Sequence, residues 1–508
     1  MTGGAVELDG KSLTLADVKA VARDGARVRL SEGAREHMLR TRRAVEQAAD
    51  SGTAVYGVNT GFGKLSEVSI PREQVDALQV NLIRSHAAGV GQPLPAEETR
   101  AMMLLRANVL AGGLAGARPE VAELLCGMLN AGLHPAVPEQ GSVGASGDLA
   151  PLAHLALPVI GEGELLHPAT GRSGPAAGML REAGLAPIRL GPKEGISLIN
   201  GTQGHTAIAA LLCVDARALW AAAQVAGAMS LEALLGTPVA FDERIHAARG
   251  QRGQMRAAAA LRSLLADSEI RESHREGDPR VQDAYSLRCI PQVHGAVLDA
   301  IDWVEEMVAR ELNAATDNPL VFDDGTMLSG GNFHGQPVAL ALDVLSIALS
   351  TLATMSERRI DRLVHPDLNQ GMPAFLAPEP GLHSGFMMAQ VTAAALASEC
   401  KLLAHPASVD SIPTDGSKED VVPMAMGAAL KARRIGANVR HVVAIELMCA
   451  AQGVDCRAPL RPGAGVLAAH RAVRGSVAPL AGDRVLSGDI ARLADLVAAG
   501  AFMHGQPA

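Results

Sequence analysis

The stretch Gln203–Leu235, QGHTAIAALLCVDARALWAAAQVAGAMSLEALL, decides the fold class. It is rich in alanine and leucine with polar residues at intervals, so it predicts one long helix. A helix of this length exceeds the average globular helix, and its apolar faces need several neighbouring helices to cover them. The sequence therefore predicts a bundle of long helices.

Further stretches share this helical pattern, and aromatic residues make up only 2% of the chain. A core of Leu, Ala, Val, Ile and Met suits close helix packing better than a sandwich of strands. The other predicted helices are Glu97–Ala115, His294–Ala314, Gln336–Val364, Ala389–His405 and Gly427–Gln452. We predict a mainly α fold with an N-terminal region over 1–200, a central long-helix bundle over 201–456 and a helical cap over 457–508.

Composition and charge exclude several classes of protein. With 508 residues, 48% of them hydrophobic and 19% charged, the chain is globular and not disordered. A net charge of −9 disfavours a broad nucleic-acid or anionic-membrane surface. The first residues lack a secretory pattern, and the six cysteines are scattered without a CxxC pair. We predict a cytoplasmic protein without metal, nucleic-acid or membrane partners.

Four glycine-rich loops between the helices carry the residues that suggest chemistry. Glycine lets the backbone approach a ligand, and loops that only connect helices rarely combine it with Tyr, Asn, Phe and His. The loops are Ser51–Ser66, Pro138–Pro151, Ser329–Pro337 and Ser411–Val421. These loops are the predicted walls of a binding site.

The most informative of these segments is Gly144–Asp148, which reads GASGD. It lacks the second glycine of a nucleophile elbow and the GK[ST] of a P-loop. Locally, a tight turn before a helix is the simpler interpretation. The chemical alternative is attack of the Gly147 nitrogen on the Ala145 carbonyl, which closes a five-membered ring. Loss of that oxygen and of the Ser146 hydroxyl as two waters would leave a conjugated ring with an exocyclic methylene.

Ordered motifs from about Val55 to about Asp455 resemble the aromatic amino acid ammonia-lyase family. The resemblance implies that Ala145, Ser146 and Gly147 form the cofactor 4-methylidene-imidazol-5-one (MIO). It also implies a helical bundle of the fumarase/aspartase-like type, and a homotetramer whose sites combine several chains. The motifs are YGVNTGFGKL, SHAAGVG, GSVGASGDLAPLAHLA, LINGTQ, QDAYSLRC, ELNAATDNPL, SGGNFHGQP and ASVDSIPTDGSKED.

Two residues indicate which branch of that family the chain resembles. His86 and Glu419 match positions that meet the substrate side chain, and a buried imidazole needs such polar partners. The resemblance implies conversion of L-histidine to trans-urocanate and ammonia. Lys418, the pair Gly204–His205 and Ala284 depart from the usual histidine-lyase pattern. Tyrosine or phenylalanine lyases and MIO-dependent aminomutases therefore stay open as alternatives.

The remaining site residues follow from the same resemblance. Tyr56 would remove the β-proton, and we expect its loop or a neighbouring positive charge to activate it, because an unperturbed tyrosine is a poor base. Arg288 would bind the substrate carboxylate, which a guanidinium matches with two hydrogen bonds. The chain has only two tyrosines, and both fall on matched positions. Positions lining the ring and substrate are Asn200, Gln282, Tyr285 and Phe333, and Tyr285 and Glu419 are counted as catalytic.

A non-enzymatic alternative is a helical scaffold, or a binder that uses the basic stretch Arg249–Arg262. The intact Ala145–Gly147 triplet and the two matched tyrosines argue against it. A purified chain that has not lost two waters would argue for it.

Overall fold

Helices dominate the computed structural model, which describes residues 4–51, 54–167 and 169–503. Those ranges contain nineteen α-helices. They are α1 Leu15–Ala22, α2 Glu32–Asp50, α3 Val75–His86, α4 Ala96–Ala111, α5 Pro119–Asn130, α6 Leu149–Ala156, α7 Ala176–Glu182, α8 Glu194–Ile199, α9 Gln203–Ala233, α10 Glu243–Arg249, α11 Arg252–Leu264, α12 Glu269–Glu272, α13 Tyr285–Arg288, α14 Ile290–Glu311, α15 Gln336–Val364, α16 Met387–Leu403, α17 Ala425–Asp455, α18 Ala464–Ser476 and α19 Ser487–Ala498. The predicted mainly α class is confirmed.

The strands are short and form four small sheets within the described residues. One sheet pairs β1 with β2 in parallel, and the others are antiparallel: β3 with β5, β4–β6–β7, and β8 with β9. The strands are β1 Val6–Leu8, β2 Val28–Leu30, β3 Val90–Pro93, β4 His134–Pro135, β5 Pro138–Gln140, β6 Glu164–His167, β7 Arg172–Pro175, β8 Leu320–Val321 and β9 Met327–Leu328.

The long helices follow the pattern of the sequence closely. Helix α15 has the predicted bounds, and α9 begins at the predicted residue. Helix α9 ends two residues early, because Leu235 takes a left-handed φ of 52° and the Gly236 N–H turns back to the Leu231 carbonyl at 2.7 Å. Both α9 and α15 are apolar and long enough to cross a membrane, but 83% and 67% of their most apolar windows are buried in the fold. That burial is typical of core helices.

The chain divides into two compact units. Unit 1 comprises Met1–Val214, Glu305–Asp343 and Pro406–Leu430, and unit 2 comprises Asp215–Val304, Val344–His405 and Lys431–Ala508. The three-part division expected from the sequence stays a prediction. Parts of it lie outside the described residues, namely 1–3, 52, 53, 168 and 504–508.

Three helices of unit 1 pack against one another and bring their ends together: α3, α6 and α8. His86 is the last residue of α3, and Asn200 directly follows α8. Helix α6 begins at Leu149, two residues after Gly147. The packing of these helices therefore gathers residues that are far apart in sequence.

Unit 2 is held together by a buried ion pair. Arg359 contacts Glu446 through two bonds of 2.5 and 2.8 Å, and both side chains are fully buried. The Ser230 hydroxyl donates to the same carboxylate at 2.7 Å, and Ser356 donates to its other oxygen. A buried charge pair of this kind favours one register of the helices, since a shift would leave charges unpaired.

Candidate active site

The Ala145–Gly147 triplet forms a tight turn just before α6. Ser146 lies in the left-handed region with φ of 51°, and Gly147 follows with φ of 74°. A left-handed serine is strained, so surrounding contacts must hold it in place. Gly147 has no room for a side chain, because a Cβ there would lie 2.0 Å from the Gly201 carbonyl oxygen. The turn requires glycine at position 147 and concentrates strain at Ser146.

Two hydrogen bonds fasten this turn to the link between α8 and α9. The backbone N–H of Asp148 donates to the Gly201 carbonyl at 2.7 Å. The side-chain amide of Asn200 donates to the Ser146 carbonyl at 2.7 Å. An N–H donor withdraws electron density from a carbonyl oxygen, so Asn200 can polarise the backbone of the triplet.

A buried arginine supports the same link. Arg106, on α4, is fully buried and donates to the carbonyls of Ser197 and Asn200 at 2.8 and 2.9 Å. It also donates to the side chain of Gln203. Burial lowers the pKa of the guanidinium to about 10, which still leaves it charged at neutral pH. Arg106 therefore holds the backbone of Asn200 where its amide meets the triplet.

Glu419 reaches the triplet from the Pro406–Leu430 part of unit 1. The Ser146 hydroxyl donates to one oxygen of its carboxylate, and the Thr414 hydroxyl donates to the other. The Thr414 N–H also donates to the Glu419 carbonyl at 2.9 Å, which anchors the backbone. The carboxylate is thus held by two hydroxyls, one of them the hydroxyl that ring formation would expel.

Two cavities of about 720 and 760 Å³ adjoin this cluster. The larger cavity includes Phe333, and the smaller one includes His86. Both are lined by Tyr56, Gly63, Ser146, Asn200, Asp415 and Glu419. The smaller cavity also has an apolar wall of Phe62, Leu65, Val68, Ile70, Leu78, Leu82, Leu149 and Ile196. An apolar space with a few convergent polar groups is the usual form of a small-molecule site.

His86 presents a defined face to the smaller cavity. Its Nδ1 lies 2.8 Å from the Leu82 carbonyl, and a carbonyl oxygen only accepts, so Nδ1 carries the proton. In the neutral ring Nε2 is then an acceptor. The carboxylate of Glu419 is a second hydrogen-bond acceptor that lines the same cavity. The pair suits a ligand that offers N–H donors.

Tyr56 lies beside the triplet in a half-buried position. Its hydroxyl accepts the Gly63 N–H at 3.5 Å, and its ring packs edge-on to Phe62 with centroids 6.2 Å apart. Burial raises the pKa of Tyr56 above 10, and the nearby carboxylates, Asp415 and Glu419 among them, raise it further. The surroundings that this chain provides therefore raise the pKa of Tyr56, and its activation by the loop or by a neighbouring positive charge stays a prediction.

The segment Gln282–Arg288 lies in unit 2. Gln282 is exposed, and Tyr285 has 70% of its surface exposed. The Arg288 guanidinium lies 4.8 Å from the centre of the Tyr285 ring, a cation–π contact. Among the described residues, neither of the two cavities takes a lining residue from this segment.

The structure thus divides the predicted site residues into two groups. Those it brings together around the cavities are Tyr56, His86, Ala145, Ser146, Asn200, Phe333 and Glu419, with Gly147 in the turn. The other three, Gln282, Tyr285 and Arg288, belong to unit 2. Residues that sequence reasoning left without a role are Arg106, Thr414 and Asp148. Asp148 could have been found from its place next to Gly147, whereas nothing local singles out Arg106.

The basic stretch Arg249–Arg262 has charged and polar partners within unit 2. Arg256 contacts Asp302 at 2.7 Å, and Arg262 donates to the Phe241 carbonyl at 2.8 Å. Two of its arginines are therefore engaged within the fold, which weakens the alternative of a basic-patch binder.

Comparison with known proteins identifies the family of this chain. Residues 13–475 match the model of the aromatic amino acid lyase family. The chain therefore belongs to the aromatic amino acid lyase family. It is 56% identical to a histidine ammonia-lyase of Anaeromyxobacter sp. (strain K) over 96% of this chain and 98% of that protein.

Solved structures extend the likeness to the fold. Histidine ammonia-lyase from Trypanosoma cruzi superposes with a TM-score of 0.91 at 44% identity, over 98% of this chain and 94% of that one. Tyrosine aminomutase from Streptomyces globisporus gives 0.92 at 38% identity, over 98% of both chains. Because both superpose equally well, the fold alone does not separate these two activities.

Proposed function

We propose that this protein is an ammonia-lyase that converts L-histidine to trans-urocanate and ammonia in the cytoplasm. The family match and the likeness to histidine ammonia-lyases support this function. The observation that carries it is one cavity lined by Ser146, Tyr56, His86 and Glu419. That cavity combines a residue able to yield an electrophile, a base and two partners for an imidazole.

The proposed cofactor is MIO, formed from Ala145, Ser146 and Gly147. A bond forms between the Gly147 nitrogen and the Ala145 carbonyl carbon, and that carbonyl oxygen leaves as water with the amide protons of Ser146 and Gly147. The Ser146 hydroxyl then leaves as a second water with the Ser146 α-proton, which creates the exocyclic double bond. When formed, the ring supplies an electrophilic carbon that activates the substrate amino acid for loss of ammonia.

The residues of the turn fit this group. Left-handed backbone at Ser146 and Gly147 bends the triplet back on itself. The ring would retain the Ser146 carbonyl, and Asn200 already donates to that oxygen. This hydrogen bond favours the electrophile, because it withdraws electron density from the conjugated system.

Tyr56 is the proposed base that removes the β-proton of the substrate. Its raised pKa leaves little phenolate at neutral pH, so the activation of the substrate must carry most of the reaction. His86 and Glu419 are the proposed partners of the imidazole, since either can accept the N–H of the neutral ring and together they can accept both N–H groups of the protonated ring. Phe333 is proposed to line the site from the larger cavity.

The test of this function is a side-by-side assay of L-histidine, L-tyrosine and L-phenylalanine with identification of every product. We expect urocanate, followed by its near-ultraviolet absorbance, as the main product. Release of a cinnamate-type product instead would favour a phenylalanine or tyrosine lyase. A β-amino acid product would favour an aminomutase, the activity of a structural relative named above.

Glu419→Gln tests the imidazole partner. We expect kcat/KM for L-histidine to fall roughly 10- to 100-fold, because a hydrogen bond to a charged group is worth about 1.5–3 kcal/mol. Activity on L-phenylalanine, which has no ring N–H, should change much less. Asp410→Asn removes an exposed carboxylate that lines neither cavity and serves as the control. An equal loss on both substrates would argue against a contact with the imidazole.

The proposed assembly is a homotetramer whose active sites combine residues from different copies of the chain. The cavities around Ser146 take no lining residue from Gln282–Arg288 among the described residues, and Tyr285 is largely exposed. We infer that this segment of another copy completes the site. Arg288 would then bind the substrate carboxylate, with Gln282 and Tyr285 beside it.

Mixed assemblies test this arrangement. Tyr56→Phe and Arg288→Ala should each reduce activity by roughly 100-fold or more, since each removes a group that acts in the transition state. Co-expression of the two variants should restore activity, because a site can then take Arg288 from one chain and Tyr56 from another. Co-expression of two differently tagged Arg288→Ala chains is the control. No recovery in assemblies shown to contain both chains would place both residues in one copy.

A further inference from the structure

Gly204 and His205 are the second and third residues of α9. In the structure both lie against Asp148, the residue that follows Gly147. Asp148 and His205 are fully buried. A buried carboxylate next to the triplet needs partners that hold it, and these two residues supply them.

His205 contacts one oxygen of the Asp148 carboxylate with both its ring and its backbone. Its Nδ1 lies 2.8 Å from Oδ2, and its backbone N–H donates to the same oxygen at 2.9 Å. That N–H is one of the unpaired donors in the first turn of α9, where a negative charge is favourable. Burial alone would raise the pKa of Asp148, but the charge and hydrogen bonds of His205 hold it below its ordinary value.

Gly204 makes this approach possible. A Cβ at this position would lie 2.8 Å from Oδ2 of Asp148. A side chain there would push the carboxylate away from the helix. Glycine within the first turn normally weakens a helix, so its presence is explained by the space that the carboxylate needs.

The other carboxylate oxygen of Asp148 connects, through Ser142, to the N-terminal side of the triplet. Ser142 donates its hydroxyl to Oδ1 at 2.7 Å, and the same hydroxyl accepts the Gly144 N–H at 3.0 Å. One carboxylate thus connects the residue before Ala145 with the residue after Gly147. The two ends of the turn are held together through a single group.

His205 also packs against the loop that carries Phe333. A Cβ on Gly335 would lie 2.6 Å from Cε1 of the imidazole, so the ring touches the backbone there. The Gly335 N–H donates to the Gly144 carbonyl at 3.0 Å. The imidazole therefore fills the space between Asp148 and this loop.

We propose that Gly204 and His205 form a clamp on Asp148 that holds Ala145–Gly147 in the turn from which the MIO ring forms. His205 is then a positioning residue for cofactor formation. The strained φ of Ser146 persists only if its surroundings enforce it, and the clamp is one of the contacts that do so. This inference rests on the proposed MIO chemistry.

The test follows the intact mass of the full-length chain after synthesis, where a formed ring lacks two waters. His205→Leu removes the contact between the imidazole and the carboxylate, and Gly204→Ala displaces the carboxylate while keeping the imidazole. We expect ring formation to be at least about tenfold slower in both, the factor typical of one lost hydrogen bond to a charged group. His205→Asn keeps a side-chain N–H and should recover part of the rate.

His246→Leu, which removes another buried imidazole outside unit 1, is the matched control and should form the ring like the parent chain. Gly204→Ala is the second variant because alanine forms helices better than glycine. Slow ring formation in this variant would therefore not reflect a weakened helix. Folded variants that lose two waters as fast as the parent overturn the clamp and leave the proposed function intact. A parent chain that keeps both waters overturns the proposed function and the clamp with it.

Discussion

Replacing Ser146 with alanine is expected to lower ammonia release from L-histidine by roughly four orders of magnitude or more, because the covalent route is lost. Alanine has no hydroxyl to expel, so the exocyclic double bond cannot form. Glu419 would lose the hydroxyl that it holds, but Thr414 would still bind its carboxylate. Initial rates and the intact mass of the chain are the two measurements.

The intact mass of the Ser146→Ala chain should show the loss of at most one water, whereas the parent chain loses two. Ser12→Ala, which changes an exposed serine, is the control and should match the parent in both measurements. A Ser146→Ala chain that releases urocanate at the parental rate would show that the triplet is an ordinary turn.

Replacing Tyr56 with phenylalanine is expected to lower kcat about 1000-fold, within the range lost when a general base is removed. The ring itself remains, so its edge-on packing with Phe62 should persist and the fold should be retained. Intact mass should still show the loss of two waters, which separates this variant from Ser146→Ala. The measurement is kcat under saturating L-histidine.

The rate of the reaction should increase with pH. A base acts in its deprotonated form, and burial raises the pKa of Tyr56 above 10, so the rate should keep rising with pH into the alkaline range. The Tyr56→Phe variant should lack that component, although the titration of the substrate amine remains in both profiles. Parallel profiles in the parent and the variant would show that another group takes the β-proton.

The long helices could be predicted from sequence because their signal is local. Alanine and leucine with spaced polar residues predicted Gln203–Leu235 and Gln336–Val364 to within two residues. The first and last residues of other helices depended on tertiary contacts. Helix α14, for example, begins at Ile290 instead of the predicted His294. An apolar pattern marks which face is buried but does not specify where the first turn forms.

The site was predicted less completely than the fold. Resemblance picked out Ser146, Glu419 and Tyr56, since chemistry restricts the residue types that can act at these positions. It could not assign Arg106, whose importance comes from its burial beneath Asn200. It also could not predict the carboxylates that raise the pKa of Tyr56, because they come from distant parts of the chain.

By itself, the sequence determined the fold class, a bundle of apolar helices, and it singled out a triplet able to form a ring and two tyrosines as candidate site residues. Only the tertiary structure decided how the triplet is held. The turn at Ser146 is strained, and a strained backbone persists only where contacts from elsewhere enforce it. Those contacts come from Gly201 and Glu419 directly and from His205 through Asp148. They form only because segments far apart in sequence pack together in unit 1.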